Sequence, residues 1–292
     1  MVLKRTNDAA VEAFSPKTGL RFLYADVSET ARELARRHGY VPSAAAAFGK
    51  ILAGTAILSI DHVDFPETLV VDGVVDGRLA GFHAEVDGGG HLRGYVFEHD
   101  PDTLGPPLAD MNDVYGAEAN VKVTKLQTDD GTVRSQVAFT SKPAIPEAVF
   151  SGFLASNGAP TRMALVATGV DADLDRVRGL AVQCLPNGSK NEFRRVSGFF
   201  KDGTVADTLA FDATLATMRE VLGLYDLVTG PTRALALGCT CSEPVVLASY
   251  ASLPKEVLEG WIRALEPQTF RCHLCGRTFV LSPETLARIL QK

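Results

Sequence analysis

Four cysteines close to the end constrain this chain more than any other feature. Cys239-Thr240-Cys241 and Cys272-His273-Leu274-Cys275 form two tight pairs, thirty residues apart. Two such pairs can supply four thiolates to one tetrahedral Zn(II), at Zn–S distances of about 2.3 Å. Gly276, directly behind the second pair, lets the backbone turn so that neighbouring N–H groups point at sulfur. Phe279-Val280-Leu281 then reads as a strand, and Ser282-Pro283-Glu284 as an N-cap with proline at the first helical position. Between the pairs, Val257, Leu258, Trp261, Ile262 and Leu265 recur at helical spacing over Lys255–Leu265, a stripe suited to being the small domain's own core. A fold of about sixty residues with so small a core needs its metal to stay folded.

A four-cysteine site of this kind serves either as a structural anchor or as a redox switch. Zinc knuckles normally use Cys-x-x-Cys twice, so Cys-x-Cys is an unusual loop. A disulfide between residues two apart is strained and therefore labile. Arg271, His273 and Arg277 flank the second pair, where cations favour thiolate over thiol. The fifth cysteine, Cys184, lies in the strand-like Leu180-Ala181-Val182-Gln183-Cys184 and reads as an inert core thiol.

The rest of the chain is ordinary globular sequence. Its 292 residues allow about two domains, and 46% hydrophobic with 22% charged residues excludes a disordered chain or a coiled coil. The net charge of −6 is not the footprint of a general nucleic-acid binder. Residues 231–292 hold seven Lys/Arg and five Asp/Glu, a local balance of +2. The N-terminal residues Met1 to Asp8 carry no apolar targeting segment. Val41–Ile60 is apolar but alanine-rich and interrupted by Lys50, which predicts a buried core helix and no membrane association. These features place the chain in the cytoplasm, where thiols stay reduced and cysteine clusters mean metal or redox chemistry.

Ser28–Gly39 predicts a first helix, with Ser28 as cap, Val27 as hydrophobic staple and Gly39 as the left-handed stop. An alanine-rich helix follows from about Ser43. Period-two patterning then predicts strands at 68–71, 81–86, 91–96, 119–124 and 133–139, with a hairpin turn at Asp87-Gly88-Gly89-Gly90. A helix near Glu147–Leu154 and a strand pair, Arg162–Thr168 and Gly179–Cys184, complete the block. The expected fold is α+β: N-terminal helices on a mostly antiparallel sheet, a helical linker and a small C-terminal zinc-binding domain. Pro186-Asn187-Gly188-Ser189 marks the boundary, giving a core of residues 1–188, a helical linker over 189–236 and a cysteine domain over 237–292. In the linker, Leu209, Phe211, Leu215, Met218, Val221 and Leu222 are expected on one helix that packs on the main sheet. His83, His91 and His99 are evenly spaced but lack a partner to complete a metal site. No nucleophile elbow, Walker sequence or carboxylate pair appears, so the chain does not read as an enzyme.

The pattern Cys-Thr-Cys-Ser, thirty residues, then Cys-x-x-Cys-Gly with an apolar strand and a helix behind it resembles the thirty-three-kilodalton redox-regulated heat-shock chaperone (chaperonin) family. Leu253-Pro254-Lys255-Glu256, Val27-Ser28-Glu29-Thr30, Phe153-Leu154-Ala155-Ser156 and Pro160-Thr161-Arg162 extend the likeness over nearly the whole chain. The resemblance implies a holdase that is zinc-bound and quiet when reduced. Its metal ligands would be Cys239, Cys241, Cys272 and Cys275. On oxidation Cys239 would pair with Cys241 and Cys272 with Cys275, zinc would leave, and the tail and linker would unfold to bind unfolding client proteins as a homodimer. The alternative is a zinc-ribbon nucleic-acid-binding protein, supported by Arg271, Arg277 and Arg288; a thiol–disulfide oxidoreductase would need a βαβ context that the tail does not supply. Two departures from the family stand out. Glu243-Pro244-Val245-Val246 replaces a charged run after Ser242, and residues 189–236 carry less charge than the family's linkers. A less charged linker is expected to unfold less readily, so that peroxide alone activates only in part.

Overall fold

The computed structural model describes residues 7–98, 110–170, 172–211 and 214–290. The fold is α+β, in two compact units, Met1–Leu237 and Gly238–Lys292. The first unit holds two sheets. β1 (Ala9–Ser15), β2 (Leu20–Asp26), β8 (Thr161–Val170), β9 (Asp173–Cys184) and β10 (Val228–Ala234) form an antiparallel sheet in the order β10-β1-β2-β9-β8. The members of the second sheet are β3 (Glu67–Val75), β4 (Leu79–Asp87), β5 (His91–Glu98), β6 (Ala119–Gln127), β7 (Val133–Ser141) and the two-residue β11 (Ala236–Leu237). Their order is β11-β5-β4-β3-β6-β7.

Helix α1 (Ser28–His38) leads into α2 (Pro42–His62), which packs against strands of both sheets. Sixteen of the 21 residues of α2 are buried, so its apolar length serves the core of the fold. Its alanines and glycines are a packing requirement: a Cβ on Gly54 would lie 2.2 Å from the ring of Phe150 on α4 (Pro146–Ala155). Lys50, the charge in the middle of α2, reaches out to Glu147 of α4 at 2.8 Å. The short α3 (Met111–Tyr115) precedes β6.

The N-cap of α1 differs from expectation. Ser28 is already helical and bonds instead to Asp26 and to the Val177 N–H. The free N–H groups of Glu29 and Thr30 go to the carboxylate of Asp8, at 3.0 and 2.7 Å. Burial pushes the Asp8 pKa up to about 6. Gly39 does close the helix in the left-handed region, with φ 65°.

The segment expected as a separate, wholly helical linker belongs to the first unit and is not one helix. It forms α5 (Lys190–Lys201), α6 (Thr204–Ala210) and α7 (Leu215–Leu222), and then strand β10. Gly230-Pro231 reads locally as a turn. It is tolerated in β10 because this is an edge strand, and the register slips opposite Glu12 where the pair sits. The outer face of the first sheet, including Leu20, Phe22, Tyr24, Leu180, Val182 and Cys184, is covered by Val196, Val205, Leu209, Met218 and Leu222. Among the expected packing residues Val221 is only half-buried, and Phe211 departs from the expected packing. The chain leaves helical geometry there, and its side chain is 76% exposed.

The second unit contains α8 (Glu243–Tyr250), α9 (Lys255–Ala264), a hairpin of β12 (Gln268–Arg271) with β13 (Thr278–Leu281), and α10 (Pro283–Ala287). Its apolar core is small: Val246, Leu258, Leu281 and Leu286 are buried, with Trp261, Ile262, Phe270 and Phe279 packed around them. Val257 and Leu265, which helical spacing assigns to that core, are exposed instead; Leu265 lies past the last turn of α9, which it closes with φ 54°.

Candidate metal centre

The cysteine pairs reach one point by two different local routes. Cys272 and Cys275 sit in the turn of the β12–β13 hairpin, where the Cys272 N–H donates to Arg277 O and the Gly276 N–H to Cys272 O, at 2.9 and 2.8 Å. Gly276 takes φ 67°, and the Arg277 N–H turns onto the sulfur of Cys275. Cys239 and Cys241 lie in the irregular stretch before α8, and the Cys241 N–H donates to the sulfur of Cys239. Ser282 Oγ accepts from the Thr285 N–H at 3.3 Å and caps the helix behind the hairpin, as the sequence suggested.

All four Sγ atoms lie within 4.8 Å of one another. Cys239 and Cys272 approach to 3.8 Å, and Cys241 and Cys275 to 3.3 Å. Four sulfurs bonded to one tetrahedral zinc sit about 3.8 Å apart, so the cluster has the size of a mononuclear site. Cys275 is fully buried and Cys272 nearly so. At this spacing the protonation of the thiols is coupled. The hydrogen bond from Cys275, with those from Cys241 and Cys272, lowers Cys239 to about 4, while donating to Cys239 pushes Cys275 far up and burial raises Cys241 to about 11. Thiols alone can share little negative charge at this spacing. A divalent cation bound among them would let all four ionise.

Cys184 is elsewhere, buried on β9 in the apolar layer of the first unit. Arg271 and His273 are exposed beside the second pair, and Arg277 is half-buried. The evenly spaced histidines form no metal-binding group among the described residues. His83 is held between Asp72 Oδ1 at 2.7 Å and Glu85 Oε1 at 2.9 Å, His91 engages Asp87, and His99 lies outside the described residues. Burial opposes the charge on His83, but its two carboxylate partners outweigh this and lift its pKa to about 9. A raised pKa stabilises the fold fully below the unfolded value near 6.5, and the contribution is lost as pH rises through 9. His83→Gln is therefore expected to cost about 1–2 kcal/mol at pH 6 after solvent screening, and much less at pH 10. Urea titrations of both proteins at the two pH values check this.

What the sequence reading missed around the centre is strand β12 and helix α8. For α8, the proline at the first turn is the local signal that identifies it.

Known proteins resemble this chain over nearly its full length. A family model described as Hsp33 protein matches residues 8–282. A 33 kDa chaperonin of Symbiobacterium thermophilum is 27% identical over 299 residues, covering 97% of each chain. One from Deinococcus radiodurans is 25% identical, covering 92% of this chain and 94% of its own. The crystal structure of the 33 kDa chaperonin (heat shock protein 33 homolog) from Thermotoga maritima superimposes with a TM-score of 0.77 at 17% identity, covering 97% of this chain and 98% of the other, and so shares its fold.

Proposed function

The chain belongs to the Hsp33 protein family, and on that premise we propose that it is a redox-regulated chaperone holdase, quiet when reduced and active after oxidation of its four-cysteine centre. Family membership and relatives named 33 kDa chaperonin support the chaperone role and the binding of unfolded client proteins. The observation that carries the regulated reading is a continuous apolar sheet face lying under three short helices, in a chain that also carries a compact cluster of four thiols. Exposed, such a face is the kind of contiguous apolar patch that demands a partner.

Cys239, Cys241, Cys272 and Cys275 would hold one Zn(II) in the reduced chain. The ion's contribution is structural: it joins two loops that the small apolar core of the second unit cannot hold alone. Oxidation then acts on the sulfurs. Cys239 pairs with Cys241 and Cys272 with Cys275. Each pair gives two electrons to one hydrogen peroxide, which takes up two protons and leaves as two waters. Disulfide sulfurs are no longer thiolate donors, so the donor set is lost and residues 238–292 unfold. Residues 189–222 leave the first sheet in the active state, two copies associate, and the freed face binds clients by burial and not by catalysis. A reducing cytoplasm fits such a resting state.

The test is aggregation of a heat-unfolding client with reduced or peroxide-treated chain, with zinc release followed in parallel. The expected result is suppression by the oxidised protein alone, saturating at a fixed ratio to client. Complete zinc release without any suppression at elevated temperature would overturn the reading.

A further inference from the structure

Apolar contact is only part of what holds the covering helices. Arg178 on β9 is 8% exposed and faces Asp26 across the β2–β9 pair. Its Nε donates to Asp26 Oδ2 at 2.6 Å. Its Nη1 donates to the carbonyls of Leu209 at 3.3 Å and Phe211 at 2.5 Å, at the C-terminal end of α6. The last carbonyls of a helix have no partner within it, and a guanidinium is a strong, geometrically fixed donor for them. Arg195 plays a different part: it donates to Glu192 and to Leu222 O, joining α5 to α7, cover to cover. Arg178 joins cover to sheet, and its Nε is held by Asp26, which stays with the sheet. When α6 leaves, the guanidinium keeps its carboxylate partner and its aim, and its Nη1 donor loses two carbonyls beside the newly bared apolar face.

We propose that Arg178 acts twice: in the closed chain it latches α6 through backbone carbonyls, and in the open chain it takes the backbone carbonyls of an extended client in their place. This rests on the holdase reading above. The partner it recognises is main chain, an extended segment whose apolar side chains lie on the sheet face while a carbonyl meets Nη1. That suits a protein that must bind many sequences, since every residue of a client carries the carbonyl. The two roles pull in opposite directions, which separates them from a merely structural one. Losing the latch eases release of the cover; losing the clamp weakens the bound complex.

The experiment uses the full zinc-loaded chain with Arg178→Gln and Arg178→Lys, the second keeping a cation beside Asp26 should the first fail to fold. In the reduced proteins, amide exchange over residues 204–211 is expected to be about ten-fold or more faster in Arg178→Gln, with β9 protection and zinc content unchanged. After full oxidation with heat, affinity for a permanently unfolded carboxymethylated client is expected to fall about three- to ten-fold. Arg178→Lys is expected to be intermediate in both. Unchanged protection over 204–211 would overturn the latch, and unchanged or tighter client binding would overturn the clamp. An oxidised wild-type chain that binds no client would remove the holdase reading and the clamp together, while the exchange data would still decide the latch.

Discussion

Cys241→Ser is expected to unfold residues 238–292 and leave the first unit folded. A serine hydroxyl stays protonated at neutral pH and is a poor ligand for a metal that four thiolates would otherwise share. The second unit has little to fall back on, because among its described residues the buried apolar core is Val246, Leu258, Leu281 and Leu286. Structural zinc in units of this size is worth roughly 10–16 kcal/mol, far more than a few side chains supply. The first unit has its own two sheets and an enclosed α2, so its unfolding midpoint is expected to stay within about 2 °C of wild type. Trp261 is the only tryptophan of the chain and packs by Tyr250 in the second unit, so its emission reports on that unit alone. A red-shifted Trp261 spectrum, zinc near zero by elemental analysis and an unchanged main melting transition are the expected results. Full zinc in a Cys239→Ser/Cys272→Ser double variant would move the site elsewhere; Cys184→Ser is expected to change nothing in the metal content.

The centre was legible in the sequence because its chemistry is local. A knuckle of two cysteines and a glycine dictates its own turn, and Ser282-Pro283 dictates its own cap. Features set by distant partners were not legible. The cap of α1 comes from Asp8, twenty residues upstream, and no local pattern announces it. β2 is buried on both faces, so Leu20-Arg21-Phe22-Leu23-Tyr24-Ala25 shows no clean alternation and passed unread, with β1 beside it. β10 was hidden by its Gly230-Pro231, which only an edge position tolerates. The apolar run over 209–222 named Leu209, Met218 and Leu222 rightly as buried, but on the wrong single helix. Phe211 breaks it because the backbone there turns its carbonyl to Arg178 and its ring to solvent.

Peroxide at room temperature is expected to release zinc and unfold residues 238–292 while leaving 190–237 protected, with only partial client binding. Low linker charge already argues for this, and the fold adds a stronger reason. Disorder spreading backward from Gly238 meets β11 and β10 before it reaches α7. β10 is paired with β1 from Phe14–Val228 to Ala9–Ala234. The Leu235 N–H donates to Asp8 O at 2.9 Å and the Ala236 N–H to Gly90 O at 3.0 Å. Arg233 donates to Ser59 O at 3.0 Å and Val63 O at 2.5 Å, gathering the last carbonyls of α2. These bonds anchor the chain between tail and cover to both sheets and to α2, so loss of the tail does not by itself pull on α5–α7. Heat supplies the missing step, because release of the cover exposes apolar surface at a cost set by its own contacts. Peroxide with mild heat is therefore expected to activate fully. Amide exchange on the peroxide-treated protein at room temperature decides the matter: complete deprotection of residues 190–230 without heating would show that β10 is no barrier. Arg233→Gln tests the same barrier from the other side. With α2 no longer gripping β10, peroxide alone is expected to deprotect α7 and bring client binding close to the level that wild type reaches only with heat.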